Sequence, residues 1–168
     1  MEKHGASLTV PQKDDTFSLG SAECKILAVN SDSDTNNTSI ALRITLGDTS
    51  FLFTGDAERE VEQAILNSKQ DIRSTVLKVG HHGSESSTGY LWLREVMPKY
   101  AVISVGKDNS YGHPTDEVLS RLRDAEVTTF RTDMQGDISC VSDGKTAEFT
   151  VSRNKDADVF ASVGTNST

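Results

Sequence analysis

The stretch VLKVGHHGSESS, residues 76–87, decides how the chain is expected to fold. It begins with a short apolar run that has the length and composition of a buried strand, and the run ends at Gly80. Two adjacent histidines follow, and then a second glycine and several small hydroxyl residues. Because the chain has only four histidines, a pair at the end of a strand indicates either a surface turn or a functional site.

Strand and helix patterns alternate on both sides of this stretch. Upstream, TFSLG, AECKILAVN, SIALRITL and SFLFT predict strands, the third with apolar residues at every second position. EREVEQAIL and GYLWLREVM have helical spacing, and a third helix is predicted from Thr115 to about Ala125. YAVISVG, TTFRT, GDISCVSDG and AEFTVS predict the remaining strands. We therefore predict an α/β fold, α+β in some classifications, with a mixed sheet and flanking helices.

The composition limits the classes of function. A chain of 168 residues is expected to form one domain of ordinary size. Its net charge of −8, from 17 basic and 25 acidic residues, excludes a broad basic surface for non-specific nucleic-acid binding. No apolar run has membrane-spanning length and the first residues lack the apolar stretch of a signal peptide, so we expect a soluble chain without membrane contact. Cys24 and Cys140 are expected to be reduced core residues.

Polar residues with functional chemistry follow three of the predicted strands. They are Asp56 after SFLFTG, His81 and His82 after VLKVG, and Asn109, Tyr111 and His113 after YAVISVG. Because loops at the carboxyl ends of neighbouring strands converge on one crevice in α/β sheets, these residues are expected to share a site. A carboxylate and two or three imidazoles are the ligand chemistry of zinc or manganese.

Each of these residues also has a purely structural interpretation. Asp56 stands where a helix N-cap is expected, and Asp is a favoured N-cap residue. The HHG triplet is compatible with a surface turn, and His113 before Pro114 with a lead into the next helix, capped by Thr115. No role is expected for His4.

The segments NNTSIALRI, FLFTGDAE, VLKVGHHGS, AVISVG and NSYGHP, in this order, resemble a known family. They are similar to the second half of the metallo-β-lactamase-like domain of competence proteins of the ComEC family and of its small relatives, over roughly residues 8–150. The resemblance implies a partial metallo-β-lactamase-like αββα sandwich over residues 1–151, and residues 152–168 are expected to form a flexible tail.

The resemblance also implies roles for individual residues. Asp56 would bridge two divalent metal ions, zinc or manganese, and His82 would bind one of them. His81 and His113 are expected to be catalytic residues on the substrate side of the site. The residues expected to contact substrate are Ser84, Asn109 and Tyr111.

One family motif has no counterpart in the chain. Metallo-β-lactamase-fold hydrolases carry an early HxHxDH motif, but the only histidine before His81 is His4. The region of a further family motif offers Asn36, Asn37 and Ser39 instead of a clear histidine. Catalytic zinc takes three protein ligands and a water, so metal binding by this chain is expected to be weak or absent. The same loss predicts a sheet face left uncovered by the absent N-terminal half.

Two functions from different classes follow. The first is a portion of a metal-dependent hydrolase of the nuclease or phosphodiesterase type, with a role in competence. Its substrate would be DNA or another phosphodiester, and it would be inactive until the missing ligands are supplied. The second is a non-catalytic binding or scaffold module that has kept the fold. An upstream segment containing HxHxDH would favour the hydrolase, and a true start at Met1 would favour the module.

Overall fold

The computed structural model describes residues 9–29 and 36–163. His4, for which the sequence predicts no role, lies outside the described residues. The described strands are β1 (Thr16–Leu19), β2 (Ala22–Ala28), β3 (Ala41–Leu46), β4 (Thr49–Phe53), β5 (Val76–Lys78), β6 (Tyr100–Ile103), β7 (Thr128–Arg131), β8 (Ile138–Ser142) and β9 (Ala147–Val151). The helices are α1 (Arg59–Asn67), α2 (Tyr90–Val96), α3 (Asp116–Asp124) and the single turn α4 (Thr132–Gln135). The short helix α4 was not predicted from the sequence.

Seven strands form one mixed sheet in the order of the chain, β1 to β7. The first four pair antiparallel as a meander, and β4, β5, β6 and β7 pair parallel. The parallel connections contain α1, α2 and α3, as crossover connections in α/β proteins do. The predicted α/β class, with a mixed sheet and flanking helices, is confirmed.

One face of the sheet packs against the helices and forms the core. Leu52 pairs with Leu77, and Leu77 with Ala101, so these three buried side chains stand on the same face. They pack in one cluster with the apolar sides of the helices, including Val61, Trp92 and Leu119. This face carries the continuous burial that parallel strands need.

The second face is apolar but only partly covered. Ile44 pairs with Phe51, and Phe51 with Val76, which places these side chains opposite the core face. The hairpin β8–β9 covers the β6–β7 end, where the Phe149 ring stacks on Phe130 at 4.4 Å between centroids. The hairpin also reaches the start of β4, where the buried Thr49 hydroxyl lies 2.6 Å from the Ser142 hydroxyl, but at the end of β4 Phe53 is 39% exposed. An apolar sheet face of this kind is typical of a surface that another segment covers.

Residues after β9 contact the body of the molecule. Arg131, which is buried, donates from one guanidinium nitrogen to the carbonyl oxygens of Val159 and Ala161 at 2.9 and 2.8 Å. The Phe160 side chain packs against the core cluster. The division of the chain at residue 151 stays a prediction, and residues 164–168 lie outside the described residues.

Within residues 9–29 and 36–163, the structure contains no helix with the length and apolar character needed to span a membrane.

Gly83 gives a test of the packing between the segment after β5 and the start of α3. Its φ is +87°, and a Cβ there would lie 2.6 Å from Pro114 Cβ. We expect Gly83→Ala to lower the free energy of unfolding by about 2–4 kcal/mol, from backbone strain and overpacking together. Urea denaturation measures this loss.

The matched control is Gly20→Ala, because Gly20 also has positive φ, +62°, but no atom within 4 Å of an added Cβ. It should lose only the cost of strain, about 1–2 kcal/mol. Equal losses in the two variants would show that the contact between Gly83 and Pro114 is not tight.

Candidate functional site

Three segments converge at the carboxyl ends of β4, β5 and β6. The turn at Gly80–Gly83 follows β5 and lies between the other two. The His81 amide donates to the Gly55 carbonyl after β4 at 3.0 Å, and the Thr115 amide, before α3, donates to the Gly83 carbonyl at 2.9 Å. The histidine turn is therefore hydrogen-bonded to the segments on both sides of it.

Both histidines of this turn have left-handed backbone conformations. His81 has φ 44° and ψ 46°, and His82 has φ 55° and ψ 17°. Residues other than glycine rarely adopt this conformation, and each costs roughly 1–2 kcal/mol. The Ser84 amide closes the turn by donating to the His81 carbonyl at 2.9 Å. Two consecutive strained residues that are held by their neighbours are typical of functional sites.

The structure brings Asp56 and His82 together. Asp56 Oδ1 lies 3.4 Å from His82 Nε2, and the two side chains are 43% and 49% exposed. On the other side of the ring, His82 Nδ1 lies 2.8 Å from the Ser104 carbonyl oxygen after β6. Because a carbonyl only accepts, Nδ1 carries the hydrogen in this bond.

This hydrogen bond determines what His82 presents to Asp56. With the hydrogen on Nδ1, the neutral ring has a lone pair on Nε2, and that lone pair faces a carboxylate oxygen. A cation held between these two acceptors would make the contact attractive. Metal-binding histidines commonly have their second nitrogen fixed in this way by a carbonyl.

The spacing of the pair fits two ligands of one zinc-sized ion. Zinc bonds to histidine nitrogen and carboxylate oxygen are about 2.0–2.2 Å long, and two such bonds at a near-tetrahedral angle separate their donor atoms by about 3.4 Å. The residues from 9 to 29 and from 36 to 163 contain no group of three or more His, Cys, Asp or Glu able to hold a metal. The described residues therefore bring together two side chains of the ligand type, fewer than the three protein ligands of a catalytic zinc site.

His81 contacts a carboxylate that sequence reasoning did not single out. Its Nδ1 lies 3.4 Å from Glu58 Oε1, and the Ser86 hydroxyl donates to the same oxygen at 3.1 Å. The arrangement orients the His81 ring next to His82. The acidic residue two positions after Asp56 in TGDAE is a signal that could have pointed to Glu58.

Residues 36–39, where the sequence has no motif histidine, hold the turn that carries Asp56. The Ser39 hydroxyl accepts from the Asp56 amide at 3.0 Å, and the Asn37 side-chain oxygen accepts from the Glu58 amide at 3.0 Å. Asn36 donates to Glu58 Oε1 at 3.2 Å. These side chains fix the position of the carboxylates.

The capping interpretation of Asp56 is wrong in the structure. Helix α1 begins at Arg59, and its N-cap is Glu58, whose side chain makes no capping hydrogen bond. Asp56 lies before the cap, where its carboxylate is free to face His82 instead of the helix amides. Thr115 is the N-cap of α3, as the structural interpretation of His113 and Pro114 predicted.

His113 lies beside His81 at the rim of the site. Their ring centroids are 5.6 Å apart in an edge-to-face arrangement. Burial lowers the pKa of His113, and the neighbouring His81 and His82 lower it further, against the opposite effect of Asp56. This environment therefore favours the neutral form of His113.

Asn109 holds the rim loop in shape. Its side-chain nitrogen donates to the carbonyls of Gly106 and His113, and its oxygen accepts from the amides of Tyr111 and His113. These four bonds use the whole hydrogen-bonding capacity of the amide. A direct contact between Asn109 and substrate would have to displace one of them.

Ser84 is buried at the start of the segment that follows the histidine turn. Its hydroxyl lies 3.0 Å from the Ser86 hydroxyl, which in turn contacts Glu58. Ser84 is therefore connected to the side chains around His81, and its expected contact with substrate stays a prediction.

Two buried charged residues brace this segment from the helices. Glu62 of α1 accepts from the amides of Thr88 and Gly89. Burial raises the pKa of Glu62, although these two amides act in the opposite direction. Arg121 of α3 donates to the carbonyl of Ser87 at 3.0 Å. Sequence reasoning missed both, since charged residues on helices are usually exposed.

Lys78 is a further charged residue close to Asp56. Burial lowers the pKa of its ammonium group, and the Asp56 carboxylate acts in the opposite direction. Lys78 pairs with Phe53 and Val102, so it stands on the partly covered face of the sheet. Asp56 thus has a histidine and a lysine as neighbours.

Comparison with known proteins identifies homologues over part of the chain. No family model matches it. The chain is similar to ComE operon protein 3 of Bacillus subtilis (strain 168), with 41% identity over 116 residues, which is 69% of this chain and 15% of that protein. It is also similar to Competence protein ComA of Neisseria gonorrhoeae, with 38% identity over 104 residues, 61% of this chain and 15% of that protein.

A third relative is Recombination protein 2 of Haemophilus influenzae, with 36% identity over 103 residues, 61% of this chain and 13% of that protein. The chain therefore spans 15% or less of the length of these three relatives. These homologues support a place for the chain in a competence-protein family.

Proposed function

We propose that the chain supplies part of the active site of a metal-dependent phosphodiester hydrolase of the metallo-β-lactamase type, with a role in DNA uptake during competence. The observation that carries the proposal is the pair Asp56 and His82, 3.4 Å apart, with His82 held by Ser104. Relatives named for competence and recombination support DNA as the phosphodiester.

Each residue of the site has a role in this proposal. Asp56 and His82 would hold a divalent ion, zinc or manganese, which when bound would supply Lewis-acid activation of water and neutralise charge on the phosphoryl group. His81, oriented by Glu58, takes up or gives a proton at the reacting phosphodiester. His113 lies next to His81 and shares the same crevice.

The remaining ligands come from a segment outside the described residues. The partly covered face of the sheet is the surface that such a segment would pack against, because it is apolar and ends beside Asp56 and Lys78. One segment can thus complete both the second layer of the sandwich and the metal site. The chain without it is an incomplete enzyme.

The proposal makes a prediction about the affinity for metal. With two ligands available, the chain should bind Zn²⁺ or Mn²⁺ weakly, and the ion should add little to the free energy of unfolding. Isothermal titration calorimetry should show weak binding that disappears in Asp56→Ala and in His82→Ala. His4→Ala serves as the control and should leave binding unchanged.

Tight stoichiometric binding that survives both substitutions would place the metal elsewhere and contradict the proposal. Tight binding that both substitutions abolish would show a more complete set of ligands than Asp56 and His82.

The proposal also makes a prediction about hydrolysis. The chain alone should not hydrolyse a chromogenic phosphodiester above background with manganese or zinc, because residues 9–29 and 36–163 do not contain a complete ligand set. Mixed or fused with a segment that carries HxHxDH, it should become active. Asp56→Ala or His82→Ala should then abolish the activity, and His4→Ala should not.

Two outcomes would count against the hydrolase. Chelator-sensitive turnover by the chain alone would refute the incomplete site. A well-folded complemented pair that stays inert would favour a non-catalytic binding module.

A further inference from the structure

Four aromatic rings form a continuous row from the metal-ligand pair to the surface. The ring centroids of His82 and His81 are 6.3 Å apart, those of His81 and His113 are 5.6 Å apart, and those of His113 and Tyr111 are 5.9 Å apart. Tyr111 and His113 stack with an angle of 26° between their planes. The row thus connects the reacting centre with an exposed aromatic side chain.

Tyr111 is unusually exposed for a tyrosine in an ordered loop. Its exposed fraction is 82%, the largest of the exposed large apolar and aromatic residues in the described part of the chain. One face of the ring lies on His113, so the other face is open to solvent. An aromatic ring in this position has a free face that a planar ligand can cover.

The backbone around Tyr111 is preorganised. Asn109 accepts from the Tyr111 amide at 3.2 Å and donates to the His113 carbonyl at 2.7 Å, which closes a tight loop between them. Pro114 packs against Gly83 of the histidine turn. Because the loop is already held, a ligand that stacks on Tyr111 does not have to order it.

We propose that Tyr111 is a stacking platform for a nucleobase of a single-stranded nucleic acid whose backbone passes the site at Asp56 and His82. Base stacking on aromatic side chains tolerates any sequence, because every base has a π-face. It also needs no basic surface, which agrees with a chain of net charge −8. The inference rests on the proposed function for its substrate class and adds the element that recognises the base.

The test uses the chain itself and no metal. We would titrate ¹⁵N-labelled protein with a deoxyadenylate hexamer, with an abasic hexamer of the same length and with a riboadenylate hexamer, and follow the amide signals of residues 110–113. The deoxyadenylate should shift these signals, and the abasic strand should bind at least about fivefold more weakly. The ribose strand distinguishes RNA from DNA as the source of the base.

Variants identify the ring that stacks. Tyr111→Ala should weaken binding of the deoxyadenylate about tenfold, because stacking on one base is lost. Tyr111→Phe should keep it within about twofold. The matched control is Tyr90→Ala, since Tyr90 is also exposed, at 59%, but lies on α2. Thermal unfolding should be unchanged in Tyr111→Ala because the side chain is exposed.

The inference is overturned if the abasic strand binds as well as the deoxyadenylate, if Tyr111→Ala has no effect, or if the amide signals do not move at millimolar strand. Failure of the proposed function is separable from these outcomes. The base-binding titration contains no metal, so base binding without hydrolysis by the complemented pair contradicts the hydrolase alone. Hydrolysis by the complemented pair that is equally fast for strands with and without bases contradicts the stacking platform alone.

Discussion

The parallel pairing of β4, β5 and β6 is the constraint on which the candidate site depends. Leu52 pairs with Leu77 and Leu77 with Ala101, and this register brings the three strands to the same edge of the sheet. The carboxylate after β4, the histidines after β5 and the carbonyl of Ser104 after β6 are therefore neighbours. A shift of one residue in the pairing would turn each strand over and move its buried side chains away from the core.

The two faces of the sheet differ in a way that connects fold and site. The core face is covered by three helices, whereas the second face is covered at one end by the β8–β9 hairpin and stays open near Phe53. Lys78 lies on this second face, and the Asp56 carboxylate opposes the lowering of the Lys78 pKa by burial. A segment that packs on the open part would thus bury apolar side chains and approach Asp56 and His82 in the same step.

Much of the site could be predicted because order in the sequence determines order in the sheet. Asp56 and His82 each follow a strand, and neighbouring parallel strands bring such residues together without further information. The contacts of Glu58 and the role of the Ser104 carbonyl could not be predicted, because they depend on side-chain rotamers and on a backbone atom that every residue has. The buried contacts of Arg131 could not be predicted for the same reason.

The exposure of the Asp56 and His82 pair lets the carboxylate oxygen and the Nε2 lone pair face each other. Their side chains are 43% and 49% exposed, so water solvates the carboxylate and the Nε2 lone pair and screens their repulsion. A segment that covered the pair would remove this water, and the two acceptors would then need a cation between them. In the proposed function, closure of the site and binding of a metal would thus be coupled, because the step that completes the ligand set would also make the ion necessary.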